Sequence, residues 1–117
     1  MKDFRNLKVW ELSHKVALEI YYLTAAFPKE EMYGLTSQIR RASASIPTNI
    51  SEGCGRGSDA DFRRFIQIAF GSACEVEYLL ILGNELKFLS MEDYESINLK
   101  IVEIKKMLSG LIKKLKE

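Results

Sequence analysis

Arginine and lysine are the residues of this chain most able to do chemistry, and the chemistry is capture of phosphate. They come in pairs and small groups: Arg40-Arg41, Arg56, Arg63-Arg64 and Lys113-Lys114. A guanidinium offers a flat fork of donors that matches a phosphate oxygen pair. These seven residues are the candidate nucleic-acid contacts. The remaining reactive types are poorly placed for catalysis. His14 is the sole histidine and sits between Ser13 and Lys15 on the polar side of an amphipathic run. Glu75 and Glu77 are two apart, so on a helix they point to different faces. Di-iron bundle sites need several carboxylates with two Glu-x-x-His pairs, and a chain with a single histidine can supply at most one, Glu11 with His14. Cys54 and Cys74 form no metal pattern and read as two reduced structural thiols. The sequence therefore predicts no catalytic residues, no metal site and no cofactor.

Gly53-Cys54-Gly55-Arg56-Gly57 invites comparison with a phosphate loop. It follows no strand and lacks the Gly-Lys-Ser/Thr ending, so it fails both nucleotide-binding patterns. The expectation is that these glycines end one helix and turn into the next, glycine being the usual C-terminal cap. An anion could still sit beside Arg56 and Ser58, at the start of the helix that follows.

Four helical stretches must position these side chains. In the first, from about Val9 to Phe27, Val9, Leu12, Val16, Ile20, Leu23 and Phe27 step by three and four. That spacing lines one face of a helix. The second runs from about Tyr33 to Glu52 with Leu35, Ile39, Ala42, Ile46 and Ile50 inward. The third opens at Ser58, whose pairing with Asp61 resembles a capping box, and continues to about Leu86. It is apolar around much of its circumference and is expected to be the most buried. The fourth opens at Ser90 with Asp93 three residues on, and carries heptad-like spacing from Tyr94 to Leu115. Connections are short, so neighbours should be antiparallel. The fold class is all-α: one domain over residues 1–117, an up-down-up-down four-helix bundle.

The second stretch holds Pro47 well inside it. Proline leaves the Ser43 carbonyl without its usual donor and normally kinks or ends a helix. Thr48 and Asn49 are expected to satisfy the freed carbonyls. The small residues Ala42 to Ser45 suit close packing, inside one bundle or between subunits.

Charge is sorted along the bundle although the net charge is only +1. From Lys100 to the end there are six basic and two acidic residues, a net +4; from Glu75 to Glu95 there are six acidic residues and one lysine, a net −5. A helix of about 25 residues is about 38 Å long. Screening acts over about 8 Å, so the two poles act separately. The basic pole collects Lys2, Arg5, Lys8, Arg56, Arg63, Arg64, Lys113, Lys114 and Lys116. Lysines at a helix C-terminus also complement the helix dipole, so solvated surface is the competing explanation.

The stretch Arg40-Arg41-Ala42-Ser43-Ala44-Ser45-Ile46-Pro47-Thr48-Asn49-Ile50-Ser51-Glu52-Gly53 resembles the hallmark of the 23S rRNA intervening-sequence protein family. So do the stretch from Phe65 to Leu79 and the opening Phe4-Arg5-Asn6-Leu7-Lys8-Val9-Trp10. The resemblance implies a four-helix bundle assembling as a ring-like homopentamer. It also implies RNA or DNA binding. The related accessory variability determinants of diversity-generating retroelements bind a reverse transcriptase, so a protein partner is the alternative. It brings no catalytic residues. No apolar run approaches the roughly 20 residues of a membrane span, and no signal core follows Met1. The expectation is a cytoplasmic, non-enzymatic scaffold without a membrane partner.

Overall fold

The computed structural model describes residues 2–116. Four helices follow one another: α1 (Lys8–Thr24), α2 (Leu35–Cys54), α3 (Asp59–Glu85) and α4 (Met91–Lys116). Short 3-10 turns at Phe4–Asn6 and Lys29–Glu31 precede α1 and α2. Each helix packs on its two neighbours in the order α1, α2, α3, α4 and back to α1. Helices α1 and α3 thus lie on one diagonal and α2 and α4 on the other. The bundle measures 43 × 23 × 20 Å.

Side-chain bonds between helices fix the directions. Arg40, near the start of α2, donates through Nε to Thr24 Oγ1 at the end of α1, at 2.7 Å. Arg63, near the start of α3, donates to the Ile112 carbonyl near the end of α4, at 3.0 Å. Both start signals work as the sequence predicts. The Ser58 hydroxyl accepts from the Asp61 amide and the Ser90 hydroxyl from the Asp93 amide, each at 3.1 Å. Each satisfies a donor that the first helical turn leaves unpaired.

The core is a column of aliphatic side chains stacked along the bundle axis. Val16 and Ile20 of α1, Ile46 and Ile50 of α2, Ile66 and Leu80 of α3, and Ile101, Ile104 and Leu108 of α4 are all at most 1% exposed. Burying such a side chain contributes about 1.5–3 kcal/mol. The most buried helix is α2, not α3. Ten of the 20 residues of α2 are buried, against nine of 27 in α3. The apolar excess of α3 goes outward: Ile68, Tyr78 and Ile81 are 43%, 59% and 37% exposed. By length and composition α3 is also apolar enough to cross a membrane, contrary to the expectation from apolar runs. Here it packs along its inner face on α2 and α4.

Pro47 is buried and α2 continues through it to Cys54. Asn49 does not serve the Ser43 carbonyl. Its Nδ2 donates to the Ser45 carbonyl at 2.8 Å and to Ser45 Oγ at 2.9 Å. Thr48 is exposed and its hydroxyl bonds to no other group among the described residues. Ser45 Oγ in turn meets Ser72 Oγ of α3 at 2.8 Å. Within the small-residue run, Ala42 and Ser43 are buried inside the bundle. Ala44 is half-buried and lines a shallow groove with Trp10 and Tyr21 of α1.

Candidate functional site

The antiparallel order brings the end of α2, the start of α3 and the end of α4 to one pole. Arg56 and Arg64 flank the same ring there, with guanidinium carbons 4.7 and 4.8 Å from the Phe65 centroid. Phe65 is buried, so the ring is a rigid base that holds both cations at the surface. Lys113 and Lys114 stand exposed on the last turns of α4, and the Arg63–Ile112 bond ties those turns to α3.

The acidic residues at this pole bind their basic neighbours loosely. Arg56 reaches Glu52 at 3.6 Å and Arg64 reaches Asp61 at 3.8 Å, both between exposed groups. Lys2 reaches Asp59 at 3.3 Å. Exposed pairs of this kind contribute about 0–1 kcal/mol, so a phosphate can replace the carboxylates at small cost. A phosphate also gains from the unpaired amides at the start of α3.

The seven predicted contacts do not form one site. Arg56, Arg64, Lys113 and Lys114 share the pole. Arg63 shares it too, but its Nε is spent on the Ile112 carbonyl. Arg40 and Arg41 lie elsewhere, closer to the start of α2 at the opposite end. Arg40 is a structural cap. Besides Thr24 it donates to the Tyr21 carbonyl in the last turn of α1 at 3.2 Å, and it covers the Tyr21 ring at 4.9 Å. Arg41 is exposed and lines a crevice between α2 and α3. Sequence pairing hid this difference because adjacent helical residues point about 100° apart.

The glycine cluster ends α2 and turns into α3 as expected, though without the left-handed cap conformation. None of its members has positive φ. Gly55 ends α2 at φ −83°. Gly53 is inside α2 and pressed on α3. Beside it, Cys54 is buried, and burial pushes its thiol pKa up. Ser58 already caps Asp61, and Asp59 lines the hollow next to Arg56. His14 is exposed and stacks on Trp10, with centroids 5.0 Å apart. Among the described residues, no three of His, Cys, Asp and Glu are grouped to hold a metal ion.

A family model described as 23S rRNA-intervening sequence protein matches residues 5–110. Among solved structures, a protein of unknown function from the S23 ribosomal protein family of Bacteroides thetaiotaomicron is similar. The identity is 34%, covering 90% of this chain and 98% of that one, with a TM-score of 0.81. None of the curated proteins matches. With the family match running from the turn before α1 into the last turns of α4, the chain belongs to the 23S rRNA-intervening sequence protein family.

Proposed function

We propose that the protein is a non-enzymatic, self-assembling four-helix scaffold that binds nucleic acid through phosphate contacts at the basic pole. The observation that carries this is the pair Arg56 and Arg64 held over one buried Phe65 ring. Lys113 and Lys114 stand on the adjoining end of α4. Contacts of this kind fix position on the backbone and discriminate sequence poorly. The test is fluorescence anisotropy against RNA and DNA across a salt series, because cation–phosphate binding releases counterions and weakens steeply with salt.

Self-assembly is supported by the outer stripe of α3. Ile68, Tyr78 and Ile81 are exposed there. Gly71 sits among them, and a Cβ on it would meet nothing within 4 Å. Glycine in a helix interior costs about 0.5–1 kcal/mol relative to alanine. Packing within the chain does not explain that cost, whereas a close approach by another subunit does. The family resemblance sets the expected count at five. A scaffold for a protein partner alone is the second reading, favoured by Leu18, Tyr22 and Leu99, which are large, apolar and exposed.

A further inference from the structure

The crevice between α2 and α3 has a volume of about 560 Å³. That is within the roughly 300–1,000 Å³ range of small-molecule sites. Its walls are polar and unlike each other. On the α2 side stand Gln38, Arg41 and Ser45; on the α3 side stand Ser72 and Glu75; Tyr33 lies at the mouth.

Three observations set it apart. First, among the described residues Arg41 is the one arginine that neither bonds nor pairs with a protein group. The other five are engaged with Asp3, Thr24, Glu52, Ile112 or Asp61. Second, Glu75 faces the same space without pairing to Arg41. Its one bond, from Gln38 Nε2, is long at 3.5 Å. Third, Tyr33 is 96% exposed, so its ring packs on nothing in this chain.

The two charges narrow the occupant. A bare anion meets Glu75, and a bare cation meets Arg41. The occupant must present an anionic group and a hydrogen-bond donor together, with a flat face for the ring. A nucleotide has all three. A base inside a duplex has its pairing edge engaged and its faces stacked, so only an unpaired base can enter.

We propose that this crevice seats one unpaired nucleotide of a single strand. The phosphate lies on Arg41, the base stacks on Tyr33, and its exocyclic amine donates to Glu75. This deepens the nucleic-acid account and rests on it. Thirteen residues of helix, about 20 Å, separate Arg41 from the end of α2 at Cys54, and Arg56 lies two residues beyond, so one strand can engage the crevice and the pole together. Adenine, guanine and cytosine carry the amine and uracil does not. Oligo-A and oligo-C are therefore expected to bind better than oligo-U, and Glu75→Gln to narrow that gap.

The test uses short fluorescein-labelled single-stranded RNA and DNA, each also annealed to its complement. Tyr33→Ala should weaken single-strand binding about 5- to 160-fold, the range of one base stacked on an aromatic ring. Tyr33→Phe should keep it. Arg41→Gln should weaken it and lower the salt slope by about 1. All three should bind duplex like the wild type. Both side chains are exposed, so the fold should survive, which circular dichroism checks. Wild-type single-strand affinity in Tyr33→Ala and Arg41→Gln would overturn the crevice and leave the pole standing. Equal weakening for duplex and single strand would do the same. A wild-type protein that binds no oligonucleotide at about 50 mM salt, where the electrostatic attraction is strong, would overturn both.

Discussion

Gly53 of α2 lies against Phe65 of α3 so closely that a Cβ on the glycine would stand 2.8 Å from the Phe65 Cβ. The obstacle is the root of a side chain, which cannot swing away. Gly53→Ala must therefore push α2 and α3 apart just where Phe65 supports Arg56 and Arg64. Overpacking costs about 1–3 kcal/mol. Urea unfolding should show that destabilisation, and an unchanged midpoint would mean the helices have room to part.

Gly71 predicts the opposite pattern. Nothing in the chain lies near its missing Cβ, so Gly71→Leu should leave the single-chain fold intact while blocking close approach by a second copy. Sedimentation of the wild type should give a closed assembly near five times 13.4 kDa, and Gly71→Leu should shift it to smaller species. A wild-type monomer at micromolar concentration would remove the ring and its multiplied charge.

These two glycines mark what was and was not legible in the sequence. The helices and the Ser58 and Ser90 caps were readable, because three-and-four spacing and start signals are local. The burial of α2 over α3 was not. Periodicity counts apolar residues and cannot say that Ile68 and Tyr78 face outward. The arginines were readable as cations but not by role. Arg40 and Arg63 serve carbonyls on other helices, and only the packing puts those within reach. The Arg41–Glu75 crevice joins residues more than thirty positions apart and left no local signal.

The turn from α3 to α4 offers a stabilising change. Lys87 has φ 66°. Its amide bonds the Asn84 carbonyl at 3.0 Å, and the Phe88 amide bonds the Gly83 carbonyl at 2.9 Å. This is a Schellman motif, whose left-handed position normally holds glycine. Lys87→Gly should raise stability by about 1 kcal/mol, read as a higher denaturation midpoint. A lower midpoint would show that the Lys87 side chain contributes more than its strain costs.

The Cys54 thiol gives a pH dependence with a definite sign. Burial raises its folded pKa above the usual 9.0. Below 9.0 the thiol is protonated in both states, and its contribution to stability is fully present. Above it the unfolded chain ionises first, so the contribution is lost as pH rises towards the folded value. Melting temperature should fall above pH 9.0, and less steeply in Cys54→Ala. Identical slopes would mean the thiol ionises freely in the folded protein.

The central claim is that the basic pole binds phosphate. Arg64, Lys113 and Lys114 are the side chains to change, because Arg63 also holds the end of α4. The measurement is anisotropy with mixed-sequence RNA and DNA between about 50 and 200 mM salt, the range over which cation–phosphate attraction weakens strongly. Wild-type affinity should fall steeply. The triple glutamine variant should bind unrelated sequences about equally weakly, with a slope reduced by about 1 for each phosphate no longer neutralised. Glu92→Gln with Glu95→Gln, at the far pole, should bind like the wild type. Binding that survives removal of the three cations, or that fails when the two glutamates are changed, would contradict the account.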